Sequence, residues 1–391
     1  MSKTNNKCPI CKSTSTTQFL EIKQVPIYCN ILLSNHEEAK HVARNDIILK
    51  FCTYCGHIFN SAFNPNHMNY NNDYENALHF SPRFQKYNKV LIKYLIKTYN
   101  LNNKNIIDIG CGKGHFLTLL CKQGNNRGIG FDPSCSNKQT KNSTKQVTFV
   151  KDFYSEKFSN CKTDFICCRQ VLEHIQHPHE LLAIIHNAII NKKNTAVFFE
   201  VPNTKFMLKN LSIWDLIYEH YSYFSKSSFH YLFTSSGYQV CNLTETFGNQ
   251  YLCIEAKPTK KKIKINYEKE IEQISRDIEV FAEKYQTKVK TWQQNLKKIK
   301  QSNKKVVVWG AGTKGIMFLN ILKVKKQIKY VVDINPHKQG KWIAGTGQRV
   351  VAPEFLKEYK PDIIIVMNKI YKNEIKQITK DLGISIKFLY A

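Results

Sequence analysis

The fold of this chain is decided by residues 106–132, which read IIDIGCGKGHFLTLLCKQGNNRGIGFD. The apolar run Ile106–Ile109 predicts a buried strand, the three glycines that follow predict a sharp turn, and the next apolar residues have helical spacing. A second apolar run ends at Asp132, about twenty residues beyond the turn. This order is typical of the first strand–helix–strand unit of a doubly wound α/β fold.

The same segment predicts a site for an adenosyl cofactor. Glycine lets the backbone pass close to a ligand, and Asp132 can accept hydrogen bonds from both ribose hydroxyls. The rival interpretation is NAD, but the loop is GxGxG rather than GxGxxG, and Asp108 precedes it. We therefore predict S-adenosyl-L-methionine (SAM). The predicted contacts are Asp108, Gly110, Gly112, Gly114, Phe116, Asp132, Asp152, Phe153, Gln170, Glu173 and His174.

Two pairs among these residues follow strands of the predicted sheet. Asp152 and Phe153 follow the third predicted strand, where the adenine edge is expected. Glu173 and His174 follow the fourth, at a position that faces the cofactor in such folds. A helix cap is an equally good interpretation for this second pair.

Alternating apolar strands and helical segments continue along the chain and predict four parts. These are an N-terminal zinc-binding subdomain (1–68), a class I Rossmann-like methyltransferase domain (69–262, with a helical lead-in at 69–104), a long amphipathic helix (263–303) and a smaller C-terminal Rossmann-like α/β domain (304–391). The middle sheet is expected to have five strands and a closing antiparallel pair. The last part is expected to have about four strands.

The four cysteines near the N-terminus form two CxxC pairs, Cys8–Cys11 and Cys52–Cys55. Two such pairs can supply a tetrahedral four-sulfur site suited to Zn²⁺, which would be structural because four protein ligands close it. Unrelated thiol turns are the alternative. A redox role is less favoured, because neither pair opens a helix after a strand.

A second glycine loop, Gly310–Gly315, has the spacing GxGxxG, and Asp333 follows about twenty residues later. Alone it predicts NAD binding. A glycine turn used only for packing is a second interpretation, and the unit is short for a dinucleotide fold.

Composition limits the class of protein. The net charge of +28 fits an anionic partner, but the lysines do not concentrate in one arm or stripe. We therefore expect no nucleic-acid partner. The N-terminus lacks the apolar core of a signal peptide, no segment is apolar enough for a membrane span, and thirteen cysteines favour free thiols. A cytoplasmic protein is expected, as a monomer or a homodimer.

An acid, an imidazole and several phenols follow the fifth predicted strand, in residues 214–225. His220 titrates near neutral pH and can take a proton, and Glu219 can orient or charge-stabilise a partner. The segment lies at the carboxyl side of the predicted sheet, where doubly wound folds bind ligands. A histidine among aromatic residues is also compatible with a structural role.

Taken together, these motifs resemble the zinc-containing sugar C-methyltransferases of deoxysugar biosynthesis, over nearly the whole chain. The matching stretches occur in the family's order: CPIC, VPI and FCTYCGHIF; DIGCGKGHF, RQVLEHI and FFEVPN; YEHYSYFS; and WGAGTKG with VVDINPHKQGKWIAGTGQRVVAPEFL. Family members read Tyr-His-Glu-His where this chain has Ile217-Tyr218-Glu219-His220.

The resemblance implies methylation of the carbon beside a ketone, typically C-3 of a nucleotide-linked 4-keto-6-deoxyhexose. His220 would be the base, and Tyr223, Tyr70 or Tyr74 would stabilise the enolate oxygen. It also implies that the C-terminal domain helps to hold the nucleotide-sugar. The residues expected at the substrate are Asn203, Tyr218, Lys314, Lys341, Arg349 and Asn368.

Two other functions are compatible with the sequence. A SAM-dependent enzyme could methylate oxygen or nitrogen on another small molecule, in which case no ketone is required. A zinc-containing nucleic-acid-binding protein would use the positive charge, and its binding would weaken steeply with salt.

Overall fold

The structure is a computed structural model, and it describes residues 7–68, 73–136, 139–140, 144, 146–192, 195–261, 266–324 and 327–391. Sheets of four, seven and five strands form the framework of these residues. Tyr70, one of the phenols predicted at the active site, lies outside the described residues.

The N-terminal sheet is antiparallel, with the strand order β1-β2-β3-β9. Its elements are β1 (Thr16–Pro26), helix α1 (His36–Lys40), β2 (Arg44–Cys52), β3 (Ile58–Asn60) and β9 (Ser222–Tyr223). The last strand comes from the predicted catalytic segment, since Ile58 pairs with Tyr223 and Phe59 with Ser222. Backbone hydrogen bonds therefore tie that segment to the cysteine-bearing unit.

The seven-stranded sheet has the order β10-β11-β8-β7-β4-β5-β6, in which five parallel strands are closed by an antiparallel hairpin. Its strands are β4 (Asn105–Ile109), β5 (Arg127–Phe131), β6 (Val147–Val150), β7 (Phe165–Arg169), β8 (Ala196–Pro202), β10 (Tyr238–Thr246) and β11 (Tyr251–Pro258). The central strands are buried apolar runs, as expected for parallel strands covered on both faces. The predicted Rossmann-like sheet and its hairpin are confirmed.

Helices accompany this sheet. They are α2 (Pro82–Tyr99), α3 (His115–Gly124), α4 (Pro178–Ile189), α5 (Thr204–Lys209) and α6 (Lys226–Ser235). Local sequence explains where two of them begin: the Ser81 hydroxyl accepts from the Phe84 backbone N–H before Pro82, and Ser225 and Ser228 form a reciprocal capping box. α3 begins at the cofactor loop, so its amino end points to the carboxyl edge of the sheet.

A single long helix, α7 (Glu268–Gln301), follows as predicted. Its buried stripe packs against the chain itself: Ile278 and Trp292 share one apolar cluster with residues of β1, of the catalytic segment and of the C-terminal sheet. The Trp292 ring meets Phe318 with 5.1 Å between centroids. No helix in the described residues combines the length and the apolar character of a membrane span.

The C-terminal sheet is entirely parallel, with the order β14-β13-β12-β15-β16. Its strands are β12 (Val306–Trp309), β13 (Tyr330–Val332), β14 (Arg349–Val351), β15 (Ile363–Val366) and β16 (Lys387–Tyr390), and its helices are α8 (Thr313–Ile321), α9 (Leu356–Tyr359) and α10 (Lys372–Asp381). This sheet has one strand more than expected. β14 escapes sequence reasoning because it has three residues and follows the glycine-containing turn 345–348.

Candidate active site

A cavity of about 450 Å³ lies between the seven-stranded and the C-terminal sheets. One wall holds the cofactor loop and the residues after β7 and β8. The opposite wall holds the second glycine loop and the end of β15, and the catalytic segment also contributes to the lining. Because the carboxyl ends of parallel strands from both sheets converge here, ligands of two units can meet in one space.

The three glycines of the cofactor loop each have a separate reason to lack a side chain. All have positive φ angles, 70°, 54° and 77° at Gly110, Gly112 and Gly114. A Cβ on Gly110 would lie 2.2 Å from Val171, and one on Gly114 would lie 2.2 Å from Phe149. A Cβ on Gly112 would meet no atom of the described residues within 4 Å, so the structure leaves room for a ligand on that side of the backbone.

Asp132 is tied to that open glycine. One carboxylate oxygen accepts from the Gly112 N–H at 2.8 Å, and the other accepts from the N–H and hydroxyl of Ser134 at 2.8 and 2.6 Å. The acid is therefore held beside the loop. Asp132 is itself outside the cavity lining, and its contact with a ribose stays a prediction. Asp108, beneath the loop, is buried, which raises its pKa to about 7.

Replacing Asp132 with Asn is expected to weaken SAM binding about 10- to 100-fold, because a charged acceptor for two hydroxyls is lost. Calorimetric titration with SAM measures this. Asp164→Asn is the matched control, since Asp164 holds Asn105 at the opposite edge of the sheet. Equal affinities for both variants would contradict the assignment.

Asp152 and Phe153, predicted at the adenine edge, are outside the cavity lining. The Asp152 carboxylate pairs with Lys157, and Phe153 is 63% exposed. Their contact with adenine stays a prediction.

Glu173 and His174 both line the cavity, together with Gln170. They do not cap α4, whose N-cap is His177. Glu173 is 1% exposed, and burial raises its pKa to about 8. The His174 Nδ1–H donates to the Glu219 carbonyl at 3.0 Å, and burial lowers the pKa of that imidazole to about 4.

Sequence reasoning missed Arg169, which also lines the cavity. Its guanidinium donates to Glu200 at 2.9 Å and stacks over Phe116, 4.1 Å from the ring centroid. Gln170 and Tyr87 donate to the same carboxylate. An arginine at the end of an apolar strand, followed by polar residues, was the available signal.

His220 faces the cavity, with its ring centroid 4.9 Å from that of His174 and 5.8 Å from that of Tyr223. Burial, and then the neighbouring His174, hold the pKa of His220 well below its ordinary value. The imidazole is therefore neutral at physiological pH and can accept a proton.

Glu219 lies behind this imidazole and is fully buried outside the cavity lining. Its carboxylate accepts from the Cys29 N–H at 3.0 Å, while its carbonyl accepts from His174. Burial raises the pKa of Glu219 to about 7, and a hydrogen bond from Tyr74 opposes that rise. These contacts suit a positioning residue.

The predicted phenols occupy different places. Tyr74 lines the cavity and accepts from the Asn30 amide at 3.0 Å. The Tyr223 ring also lines it, but its hydroxyl donates to the Ile217 carbonyl at 3.0 Å and accepts from the Ile217 N–H at 3.2 Å.

Tyr218 was expected at the substrate, and this prediction is wrong. Its side chain is fully buried away from the cavity. Its hydroxyl accepts from the Asn64 N–H at 2.9 Å and from the Asn45 amide at 3.0 Å, which anchors the catalytic segment to the N-terminal unit.

On the opposite wall, Lys314 lines the cavity and pairs with Asp215. Asn203, after β8, and Asn368, after β15, also line the cavity. The Asn203 amide donates to the Asn249 carbonyl at 2.8 Å, and the Asn368 amide donates to Gln250 at 2.9 Å.

Lys341 and Arg349 were predicted at a diphosphate, but neither lines the cavity, and Arg349 is exposed on β14. Backbone hydrogen bonds hold this segment on the N-terminal unit and on β14, since the Trp342 N–H donates to the Leu33 carbonyl and the Val350 N–H donates to the Lys341 carbonyl, each at 2.8 Å. Lys338, three residues before Lys341, does reach the cavity. It is 5% exposed, lines the cavity and donates to the Ala311 carbonyl at 3.1 Å.

The second glycine loop is held like the first, because Asp333 accepts from the Ala311 N–H at 2.7 Å. A Cβ on Gly315 would lie 2.0 Å from the Gly310 carbonyl oxygen, so close packing alone requires that glycine. The loop and the first turn of α8 face the cavity.

Comparison with known proteins agrees with this architecture. A family model described as a methyltransferase domain matches residues 81–243, and one described as a C-methyltransferase C-terminal domain matches residues 250–386. The chain is an S-adenosylmethionine-dependent methyltransferase.

This methyltransferase is 24% identical over 289 residues to the C-methyltransferase NovU of Streptomyces niveus, covering 69% of this chain and 67% of NovU. Among solved structures, it is similar to the magnesium protoporphyrin IX methyltransferase ChlM of Synechocystis PCC 6803 (17% identity, TM-score 0.34, 44% of this chain and 83% of the other). It is also similar to a Burkholderia thailandensis 1,6-didemethyltoxoflavin-N1-methyltransferase (15%, TM-score 0.35, 46% and 79%).

The four predicted zinc ligands of the methyltransferase come together, away from the cavity lining. The sulfurs of Cys8 and Cys55 are 3.6 Å apart and those of Cys11 and Cys52 are 3.4 Å apart, and all four lie within 4.8 Å of one another. Thiolates bound to Zn²⁺ at about 2.3 Å stand roughly 3.8 Å apart in a tetrahedron. The donor set therefore fits such an ion.

The raised pKa of Glu173 makes the stability of the enzyme depend on pH. The folded state keeps a proton up to about pH 8 that the unfolded chain releases near its ordinary pKa of 4.5, so stability falls as pH rises between these values. The free energy of unfolding of the wild type is expected to fall by on the order of 3 kcal/mol between pH 5 and pH 8. Glu173→Gln is expected not to show this fall, because glutamine does not titrate. Thermal unfolding at both pH values measures it, with the exposed Glu156→Gln as control. The same pH dependence of stability in the wild type, Glu173→Gln and Glu156→Gln would contradict this expectation.

Proposed function

We propose that this methyltransferase transfers a methyl group to the carbon beside the ketone of a nucleotide-linked 4-keto-6-deoxy sugar, at C-3. The observation that carries the proposal is the position of the His220 imidazole, which lines the same cavity as Gly110 and Gly112 of the cofactor loop. A carbon acid must lose a proton before it can be methylated, and a neutral histidine in a buried site can take it.

The chain's own residues have distinct roles in the proposed reaction. His220 removes the proton from the carbon beside the ketone and holds it on a ring nitrogen, while the electron pair moves to the ketone oxygen as an enolate. Bound SAM supplies an electrophilic methyl group on its sulfonium. Asp132 and the Gly110–Gly114 loop orient the donor, and Glu219 fixes the backbone that carries His220.

Tyr74 is the phenol that we assign to the enolate oxygen. It lines the cavity beside Glu219, and its hydroxyl would turn its proton from that carboxylate to the enolate oxygen. Tyr223 is less suited, because its hydroxyl is held by the N–H and the carbonyl of Ile217 within the catalytic segment. A donor aimed at developing oxyanion charge accelerates such steps by stabilising the transition state.

We further propose that the second glycine loop and its lysines hold the nucleotide diphosphate, and that Cys8, Cys11, Cys52 and Cys55 hold a structural Zn²⁺. Helix amino ends and lysine ammonium groups are favourable partners for phosphate. Lys314 and Lys338 both line the wall that carries this loop.

Replacing Lys338 with Ala is expected to raise the KM for the sugar nucleotide about tenfold or more, because a charge-assisted contact is lost. Lys341→Ala is the matched control, since that residue lies three positions away and outside the cavity lining. Steady-state kinetics of both variants measure the difference. Equal KM values would remove Lys338 from the substrate site.

The proposal as a whole is tested by incubating the protein with methyl-labelled SAM and a panel of nucleotide-linked sugars, with and without a 4-keto group. Label is expected on carbon of the keto sugars alone. Label on oxygen or nitrogen of a sugar without the ketone would overturn the proposed acceptor and support the alternative class of methyltransferase.

A further inference from the structure

Glu173, His174 and His220 form a compact cluster within the cavity. One donor atom from each residue lies within 4.8 Å of the donor atoms of the other two. The residues come from two separate segments, the turn after β7 and the catalytic segment, and all three line the cavity. A carboxylate and two imidazoles are brought together where a ligand can reach them.

Glu173 gives this cluster an unsatisfied acceptor. Its Oε2 is buried and has no hydrogen-bond partner among the described residues, and the residue is 1% exposed. A buried polar atom without a partner costs about 1–3 kcal/mol, and more when it is charged. A bound cation would satisfy this oxygen, and it would displace the carboxyl proton of Glu173 into solvent when it binds.

The hydrogen bond of His174 also suits a metal ligand. A backbone carbonyl can only accept, so Nδ1 carries the proton in the 3.0 Å contact with the Glu219 oxygen, and Nε2 carries the lone pair. Metal-bound histidines usually donate their other ring N–H to a carbonyl or carboxylate, which fixes the tautomer and the ring direction. Glu219 is itself fixed by the Cys29 N–H.

The three donor atoms favour one class of metal ion. Two imidazole nitrogens and one carboxylate oxygen suit divalent first-row transition metals such as Zn²⁺, Co²⁺ or Fe²⁺, and leave coordination positions open. Ligands at about 2.0–2.1 Å from an ion stand roughly 3.4 Å apart in a tetrahedron. The donor atoms lie within 4.8 Å of one another, so the three side chains would rotate inward to reach that separation around an ion.

We propose that Glu173, His174 and His220 bind a divalent transition-metal ion, and that its binding inhibits methyl transfer. The second part rests on the proposed function, in which the lone pair of His220 removes the substrate proton. An ion that takes this lone pair leaves the base unable to accept a proton. The doubly charged ion would also oppose the positive sulfonium of the donor.

The binding experiment uses the full-length protein with its cysteine site filled by Zn²⁺. Titration with Co²⁺ is expected to give one further ion per chain, with ligand-field bands and no thiolate-to-cobalt charge-transfer band. Glu173→Gln and His174→Asn should each weaken this binding at least tenfold. His177→Asn, which removes an exposed histidine nearby, should not change it.

Equal Co²⁺ affinity in the wild type, Glu173→Gln and His174→Asn would overturn the site, as would charge-transfer bands alone, which report exchange at the cysteines. Two ligand variants are compared because one of them could fail to fold, which circular dichroism reveals.

The inhibition experiment measures methyl transfer as Co²⁺ is added. The rate of the wild type and of His177→Asn should fall in step with occupancy, and Glu173→Gln should keep a larger fraction of its own metal-free rate. Binding with unchanged turnover would overturn the inhibitory role. Absence of transfer to any keto sugar by metal-free protein would instead overturn the proposed function, while the binding result would stand.

Discussion

Replacing Cys52 with Ser is expected to unfold the N-terminal unit and to abolish methyl transfer. A four-thiolate Zn²⁺ site contributes apparent free energies of about 10–16 kcal/mol in small zinc-binding peptides, and losing one ligand forfeits much of that. The effect should reach the active site, because β3 pairs with β9 two residues after His220.

Zinc content by atomic emission and thermal unfolding measure this effect together. A zinc content well below one per chain and a transition lowered by more than about 10 °C are expected. Cys241→Ser is the matched control, because Cys241 is an exposed free cysteine remote from the cluster. Full zinc content and an unchanged transition in Cys52→Ser would contradict the assignment.

Replacing His220 with Asn is expected to lower kcat about 10²- to 10⁴-fold, the usual contribution of a general base. SAM affinity should stay close to that of the wild type, because the cofactor contacts come from other segments. His177→Asn controls for the loss of a nearby exposed histidine. Unimpaired turnover in His220→Asn would remove this residue from the mechanism.

The lowered pKa of His220 also predicts how kcat/KM of the wild type depends on pH under acidic conditions. Because burial and His174 lower the pKa of His220, its neutral form persists to pH values well below 6.5. The activity should therefore fall only under more acidic conditions than an ordinary histidine would give.

The sequence was sufficient for features that depend on local pattern. Buried parallel strands are apolar runs, the glycine loop carries its backbone requirement in three residues, and the long helix repeats its apolar stripe over 34 residues. The CxxC pairs were also readable, since each fixes two thiols on one turn.

Features that depend on the path of a loop could not be predicted from the sequence. Lys338 and Lys341 are three residues apart, yet only Lys338 lines the cavity. Tyr218 is next to Glu219, but the segment turns its phenol into the N-terminal unit. The pairing of β9 with β3 joins residues more than 160 positions apart in the sequence, and no local sequence pattern predicts such a pairing.

The central claim is that His220 ionises a carbon acid, and proton exchange at that carbon tests it most directly. A nucleotide-linked 4-keto-6-deoxy sugar is incubated in D₂O with the protein and S-adenosylhomocysteine, and the signal of the C-3 hydrogen is followed by NMR. Wild-type protein is expected to replace this hydrogen with deuterium well above the background rate, and His220→Asn is expected not to. Absence of exchange in a wild-type protein that transfers its methyl group to the same sugar would contradict the account.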